Sequence, residues 1–325
     1  MPTSGRLGLA LSGGALKASA HVGILSALNT LGIYPDVVAG TSAGSFVAAA
    51  YAQGLRADDF TKILSRFPGR KLLDYGFPLT SALWNLLTNP LRRRGHVPRL
   101  PNGLLLGKRL QRYVSSVLTQ VPPGGTAIPF HIIATDLWTG KPVTFTNDVN
   151  AITRGIGQPI DDLAQVIVAS CSLPGIFTPV NLSPWLLADG ACRHYVPVRV
   201  LQDVGCDKVI AVNLYRLDES WTPQSFAHVL SRSYDILLQD AVENDMTGPN
   251  VYVLAPDVGN FTWVSFDQME QGVQAGEATV HRHKEDIIAF LERPIWKKEA
   301  GRKPQNLRCS PAPSLHINGR SGVKR

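Results

Sequence analysis

The 325-residue chain has little cysteine and no long apolar run. Its four cysteines, Cys171, Cys192, Cys206 and Cys309, fall in no CxxC or CxxH spacing. A structural zinc site needs such closely spaced ligands, so no metal site is expected. The cysteines read as reduced thiols of a cytosolic protein. No segment reaches 18 consecutive apolar residues, so no transmembrane helix is expected. The opening stretch MPTSGRLGLALSGG lacks the charged, apolar and small-residue order of a signal peptide, so export is not expected either. There is no internal repeat.

Acidic residues are scarce in two places. Residues 66–112 carry ten Lys/Arg against one acid, Asp74, and residues 293–325 carry nine against one acid, Glu299. The chain totals +7, of which these segments hold +9 and +8, leaving the remainder at −10. The basicity therefore belongs to two segments. One reading is attraction to an anionic surface, a peripheral contact of a cytoplasmic protein with the inner membrane face. The other is a solvated loop and a solvated tail. Beyond Arg293 the Pro, Gly, Ser, Lys and Arg content cannot bury enough apolar area to offset ordering entropy, so 293–325 is expected to be a disordered tail.

What the chain does have is an ordinary globular composition, 44% hydrophobic and 18% charged. An apolar run at 7–11 enters Ser12-Gly13-Gly14, and residues 15–31 place Val22, Leu25 and Leu28 at helical spacing before Gly32. A second strand is expected at 35–39 and a second helix at 45–54. This alternation argues for a parallel sheet covered by helices. Residues 67–107, rich in Pro, Gly, Arg and aromatics, read as an insertion or lid within a 5–292 domain. Further strands are expected at 130–134, 143–146, 166–169, 209–213 and 251–255, and a closing helix at 273–291.

Gly40-Thr41-Ser42-Ala43-Gly44 fits G-x-S-x-G between an expected strand and an expected helix. A strained corner there lifts the hydroxyl clear of the sheet, and glycines two residues away on each side allow close backbone packing. The alternative is an N-cap serine in a glycine-lined turn. A nucleophilic serine needs a base. A His base would follow the α/β-hydrolase order, but in that order the nucleophile follows several strands and Ser42 follows two. Of the histidines, His21 lies on the first helix, His194 in a loop, and His281 and His283 on a charged late helix; no feature selects any of them. Asp189, ending the apolar run WLLAD before Gly190-Ala191, is the other candidate. Partial desolvation there raises a carboxyl's pKa and makes it a better base; a turn Asp capping its own backbone is the bland reading. The loop Ser12–Lys17 could offer backbone N–H groups to an oxyanion. It is neither GxxxxGK[ST] nor GxGxxG, which leaves a nucleotide reading weak.

Together these segments resemble the patatin-like phospholipases, in particular their bacterial group. The similarity runs from LGLALSGGALKASAHVGILSALNTLGIYPDVVAGTSAGSFVAAAYAQG through ATDLWTGKPVTF, ASCSLPGIFTPV and LADGACRHYVPVRVLQDVGCDKVIAVNL, in that order, over roughly residues 7–291. The resemblance implies an α/β fold, a three-layer α/β/α sandwich around a mainly parallel sheet. It implies Ca²⁺-independent hydrolysis of lipid acyl esters by a Ser–Asp dyad, with no cofactor. By position, Ser42 is then the nucleophile in an elbow of Gly40 and Gly44, Asp189 the base, and Gly13, Gly14 and Ala15 the oxyanion donors. The family's third loop glycine is Ala15 here, its arginine is Lys17 and its next glycine is Ala18. Ala15 can serve if its φ is negative, and Lys17 reads either as a contact for an anionic headgroup or as a plain surface lysine on the first helical turn. A lipid ester is the expected partner and nucleic acid is not. The alternatives are an impaired lipid- or protein-binding module on the same fold, or an acyltransferase.

Overall fold

Short apolar runs make the sheet of this chain, seen in a computed structural model that describes residues 5–76, 102–119, 128–217, 221–223, 226–259 and 266–296. The first half contains β1 (Leu7–Leu11), α1 (Ser19–Thr30), β2 (Val37–Thr41), α2 (Ala43–Ala52), α3 (Ala57–Ser65), β3 (Gly103–Leu105) and α4 (Lys108–Leu118). Next come β4 (Phe130–Asp136), β5 (Pro142–Thr146), α5 (Val149–Thr153), α6 (Leu163–Ser170), β6 (Gly175–Phe177), β7 (Val180–Leu182) and β8 (Trp185–Asp189). The last are α7 (Val198–Asp203), β9 (Lys208–Val212), α8 (Phe226–Asp245), β10 (Val251–Leu254), α9 (Met269–Arg282) and α10 (Lys284–Glu292). All belong to the compact unit Met1–Ile295. Of the expected tail, residues 297–325 lie outside the described residues.

The main sheet runs β10-β9-β1-β2-β4-β8-β7, with β5 also paired to β4. Strands β10, β9, β1, β2 and β4 are parallel, while β5, β8 and β7 join antiparallel. Every residue of β1, β2, β4 and β9 is buried, as expected of strands covered on both faces. Leu9, Leu11, Val38 and Ile132 pack against α1, α2, α6, α9 and α10. Ala10, Val37, Ala39 and Ile133 pack against α5, α7 and α8. The result is the expected three-layer α/β/α sandwich around a mainly parallel sheet.

One pairing detail positions the chemistry. The first four residues of β4 pair with β2, ending at Ile133 opposite Thr41, and its last three pair with β8, starting at Ala134 opposite Asp189. The C-terminal ends of β2 and β8 therefore meet beside one strand. The residue after β2 is Ser42, and the last of β8 is Asp189.

Several local expectations change. The run at 166–169 belongs to helix α6, not to a strand. Four apolar residues carry no periodicity that separates a buried helix from a buried strand. Asp162 decides it by accepting the Gln165 N–H at 3.0 Å as N-cap. Residues 15–18 form a 3-10 turn before α1, and the closing helix is two helices that break at His283. The described parts of 67–107 hold a 3-10 turn (Gly69–Leu72) and β3, which pairs with β6. Residues 77–101, including Trp84 and Arg92–Arg94, lie outside the described residues. Cys171, Cys192 and Cys206 are free thiols.

Candidate active site

The serine corner is a strained one. Ser42 has φ 53° and ψ −131°, a left-handed backbone that L-residues rarely adopt. Gly40 and Gly44 permit it by close approach. A Cβ on Gly40 would come within 2.3 Å of the Gly44 carbonyl oxygen, and one on Gly44 within 2.4 Å of the Ser12 carbonyl oxygen. The corner is also tied down: the Ser42 N–H donates to Ser170 Oγ at 2.9 Å, and Ser170 Oγ–H donates onward to the Ile133 carbonyl at 2.6 Å. The Ser45 N–H and hydroxyl both donate to the Ser42 carbonyl.

Ser42 Oγ donates to Asp189 Oδ2 at 2.7 Å. Asp189 is 3% exposed, and its other oxygen accepts the Ala191 N–H at 2.8 Å. Its backbone is pinned on both sides, its N–H by the Ser172 carbonyl (2.9 Å) and its carbonyl by Thr135 Oγ1–H (3.0 Å). Burial raises the Asp189 carboxyl to about 7, against the pull of the Ala191 N–H and the Ser42 hydroxyl. A carboxylate so held matches the working pH of a general base. The Cys171 thiol lies within hydrogen-bonding reach of Ser42 and Ser45. Burial and the neighbouring Asp189 push it well above the usual thiol range, so it stays a neutral thiol.

The glycine loop stands next to this pair. A Cβ on Gly13 would lie 3.4 Å from Ser42 Cβ and 3.3 Å from the Tyr195 ring. The Gly13 N–H donates to the Tyr195 carbonyl at 3.1 Å, so it is already engaged. Among the described residues no partner takes the Gly14 or Ala15 N–H. Gly14 has φ 150° and Ala15 φ 50°, so the negative φ on which an oxyanion role for Ala15 depends is not met. Lys17 sits near Asp235 of α8, a half-buried carboxyl that burial raises and the Lys17 charge partly draws back, so that charge has a protein neighbour.

The histidines stand elsewhere. His21 is fully buried, and its Nε2–H donates to the Ser12 carbonyl at 2.9 Å, supporting the loop from behind. Burial lowers it to about 4, so it is neutral. His194 Nδ1 lies 3.0 Å from Asp245 Oδ1, while its carbonyl accepts Thr41 Oγ1–H at 2.7 Å. His283 Nδ1 lies 3.1 Å from the Tyr252 hydroxyl. His281 is exposed near the end of α9. Among the described residues no group of three or more His, Cys, Asp or Glu could hold a metal ion, and no helix is long and apolar enough to cross a membrane. Sequence reasoning passed over Ser170. Its signal was the serine inside ASCSLPG, a block noted only for its order along the chain.

A family model described as patatin-like phospholipase matches residues 9–201, more than half of the chain, and spans both Ser42 and Asp189. The chain belongs to the patatin-like phospholipase family. It is 30% identical over 212 residues to an uncharacterized NTE family protein of Mycobacterium tuberculosis, covering 65% of this chain and 50% of that protein. It is 26% identical over 302 residues to lysophospholipase NTE1 of Lodderomyces elongisporus, covering 83% of this chain and 18% of that one. The chain thus spans half or less of the length of these relatives. Among solved structures, VipD from Legionella pneumophila aligns at 14% identity with TM-score 0.44, over 87% of this chain and 67% of that one.

Proposed function

We propose that the chain is a serine lipid acyl hydrolase that cleaves carboxylic esters of phospholipids or related lipids through a Ser42–Asp189 dyad. The observation that carries this reading is the 2.7 Å hydrogen bond from Ser42 Oγ to a carboxylate buried beside a left-handed serine corner. Membership of the patatin-like phospholipase family gives the ester class.

Asp189 accepts the hydroxyl proton as Ser42 Oγ attacks the ester carbonyl. The carbonyl oxygen takes up negative charge, met by the Gly14 N–H and by the N-terminus of α2. Gly13 serves by its lack of a side chain and not as a donor. Collapse breaks the ester C–O bond, and Asp189 returns its proton to the leaving alkoxide. Water then attacks the acyl-enzyme, with Asp189 again taking a proton, and fatty acid leaves as Ser42 is restored. The basic segment 66–112 supports a peripheral approach to lipid. Tyr75, Leu104 and Leu106 are exposed there, and its single acid, Asp74, accepts the Gly107 and Arg109 N–H groups. Sedimentation with anionic and neutral vesicles tests that approach, and equal partition would end it.

The functional test compares lipids released from a mixed extract by the wild-type chain and by Ser42→Ala. Free fatty acid with a matching lysolipid or alcohol, absent with Ser42→Ala, is the expected result. Acyl groups appearing on another lipid instead of as free acid would assign a transferase, and identical products from both proteins would end the serine mechanism.

A further inference from the structure

A second opening in the molecule is unused by this chemistry. A cleft of about 1070 Å³ lies between the β4–β5 turn, the loop after α5, and α7, and none of Ser42, Asp189, Gly14 or Cys171 lines it. Its walls bring together Lys141, Arg154, Arg193 and Arg199 with only two acids, Asp136 and Asp203. That balance runs against its surroundings, since the chain outside 66–112 and 293–325 is net −10.

Among the described residues neither acid forms an ion pair with these cations. Asp136 is buried, and its carboxylate accepts from the Thr139 hydroxyl and from the Trp138, Thr139 and Leu186 N–H groups, so it is spent on its own turn. Arg193 Nε–H donates to the Gly140 carbonyl, and Arg154 donates to the Asp203 carbonyl at 3.1 Å. Both guanidinium groups are therefore held by neutral backbone oxygens and bonded to no carboxylate among the described residues. Among the described residues none of the four cations forms a salt bridge. At the rim, the Trp138 indole is 74% exposed and offers an apolar face.

We propose that this cleft is a second ligand site, which takes a phosphate monoester. Two exposed guanidinium groups, each held by one backbone hydrogen bond, and two further exposed cations on the same walls suit a dianion with three terminal oxygens, where a carboxylate would leave most donors idle. The volume accommodates the organic part of the ester as well. The same chemistry could arrive as a soluble metabolite or as a lipid headgroup.

Calorimetry with sn-glycerol 3-phosphate and vesicle binding with phosphatidic acid separate the two sources, using the full chain and the double variant Lys141→Glu/Arg199→Glu. Circular dichroism and fluorophosphonate labelling of Ser42 establish that the variant is folded, independently of the new site. Saturable binding of the soluble ester that weakens about tenfold or more in the variant supports the site, at two lost charge-assisted contacts. Binding of the vesicles alone, with the same loss, assigns the headgroup as the source. Equal binding by both proteins, or no binding of either probe by the wild type, overturns the proposal.

Discussion

Asp189 Oδ2 accepts the hydroxyl of Ser42 at 2.7 Å although 147 positions separate them in the chain. The contact follows from β4. Its early residues pair with β2 and its late residues with β8, so the two strand ends abut. The geometry of the sheet brings the Asp189 carboxyl to the Ser42 hydroxyl.

The pH dependence of turnover should report this carboxyl. Asp189 must be unprotonated to take the serine proton, and burial raises it to about 7. The acidic limb of kcat/KM is therefore expected near pH 7, above the usual carboxylate range near pH 4. A plateau extending unchanged to about pH 5 would show that an ordinary carboxylate, or none, controls the rate.

The same shift affects stability. Between about pH 4 and about pH 7 the folded protein keeps the Asp189 proton while an unfolded carboxyl releases it. Its contribution to stability is present at the acid end and declines as pH rises through that window. Denaturant midpoints of the wild type should fall relative to Asp189→Asn as pH rises. Parallel midpoints across the range would place the titration elsewhere.

Ser42 itself should cost stability. Its φ of 53° suits glycine, so Ser42→Gly is expected to be more stable than Ser42→Ala by about 1 kcal/mol, with both inactive. Urea unfolding of the two variants measures the difference.

Ala15 gives a related case without loss of chemistry. At φ 50° it carries a methyl where its family has glycine, and Ala15→Gly should raise stability by up to about 1 kcal/mol. Thermal unfolding checks this, and a fall in midpoint would contradict the loop geometry.

Ser170→Ala removes the acceptor of the Ser42 N–H and the donor to Ile133. Acylation in a single turnover should slow about tenfold for the loss of roughly 1–2 kcal/mol of positioning, with KM little changed. Wild-type acylation in Ser170→Ala would make this bond purely structural.

Much of the architecture was readable from local pattern. The first two strand–helix units, Ser42 and Asp189 stand in short, distinctive runs, and burial on both faces leaves continuous apolar strands. What escaped depends on contacts distant in sequence. The run at 166–169 is helical because Asp162 caps it. The Gly13 N–H is taken by Tyr195, 182 positions away, which no spacing reveals. The sign of φ at Ala15 follows from how β1 turns into the loop, and the cation cleft from helices and hairpins far apart in the chain.

The most direct measurement is the rate at which a fluorophosphonate modifies the 325-residue chain, followed by intact mass and peptide mapping, in the wild type and in Asp189→Asn. One adduct on the peptide containing Ser42, formed at least about a hundredfold more slowly in the variant, is the expected result. Equal rates in the two proteins, or an adduct on any other residue, would contradict a serine activated by Asp189.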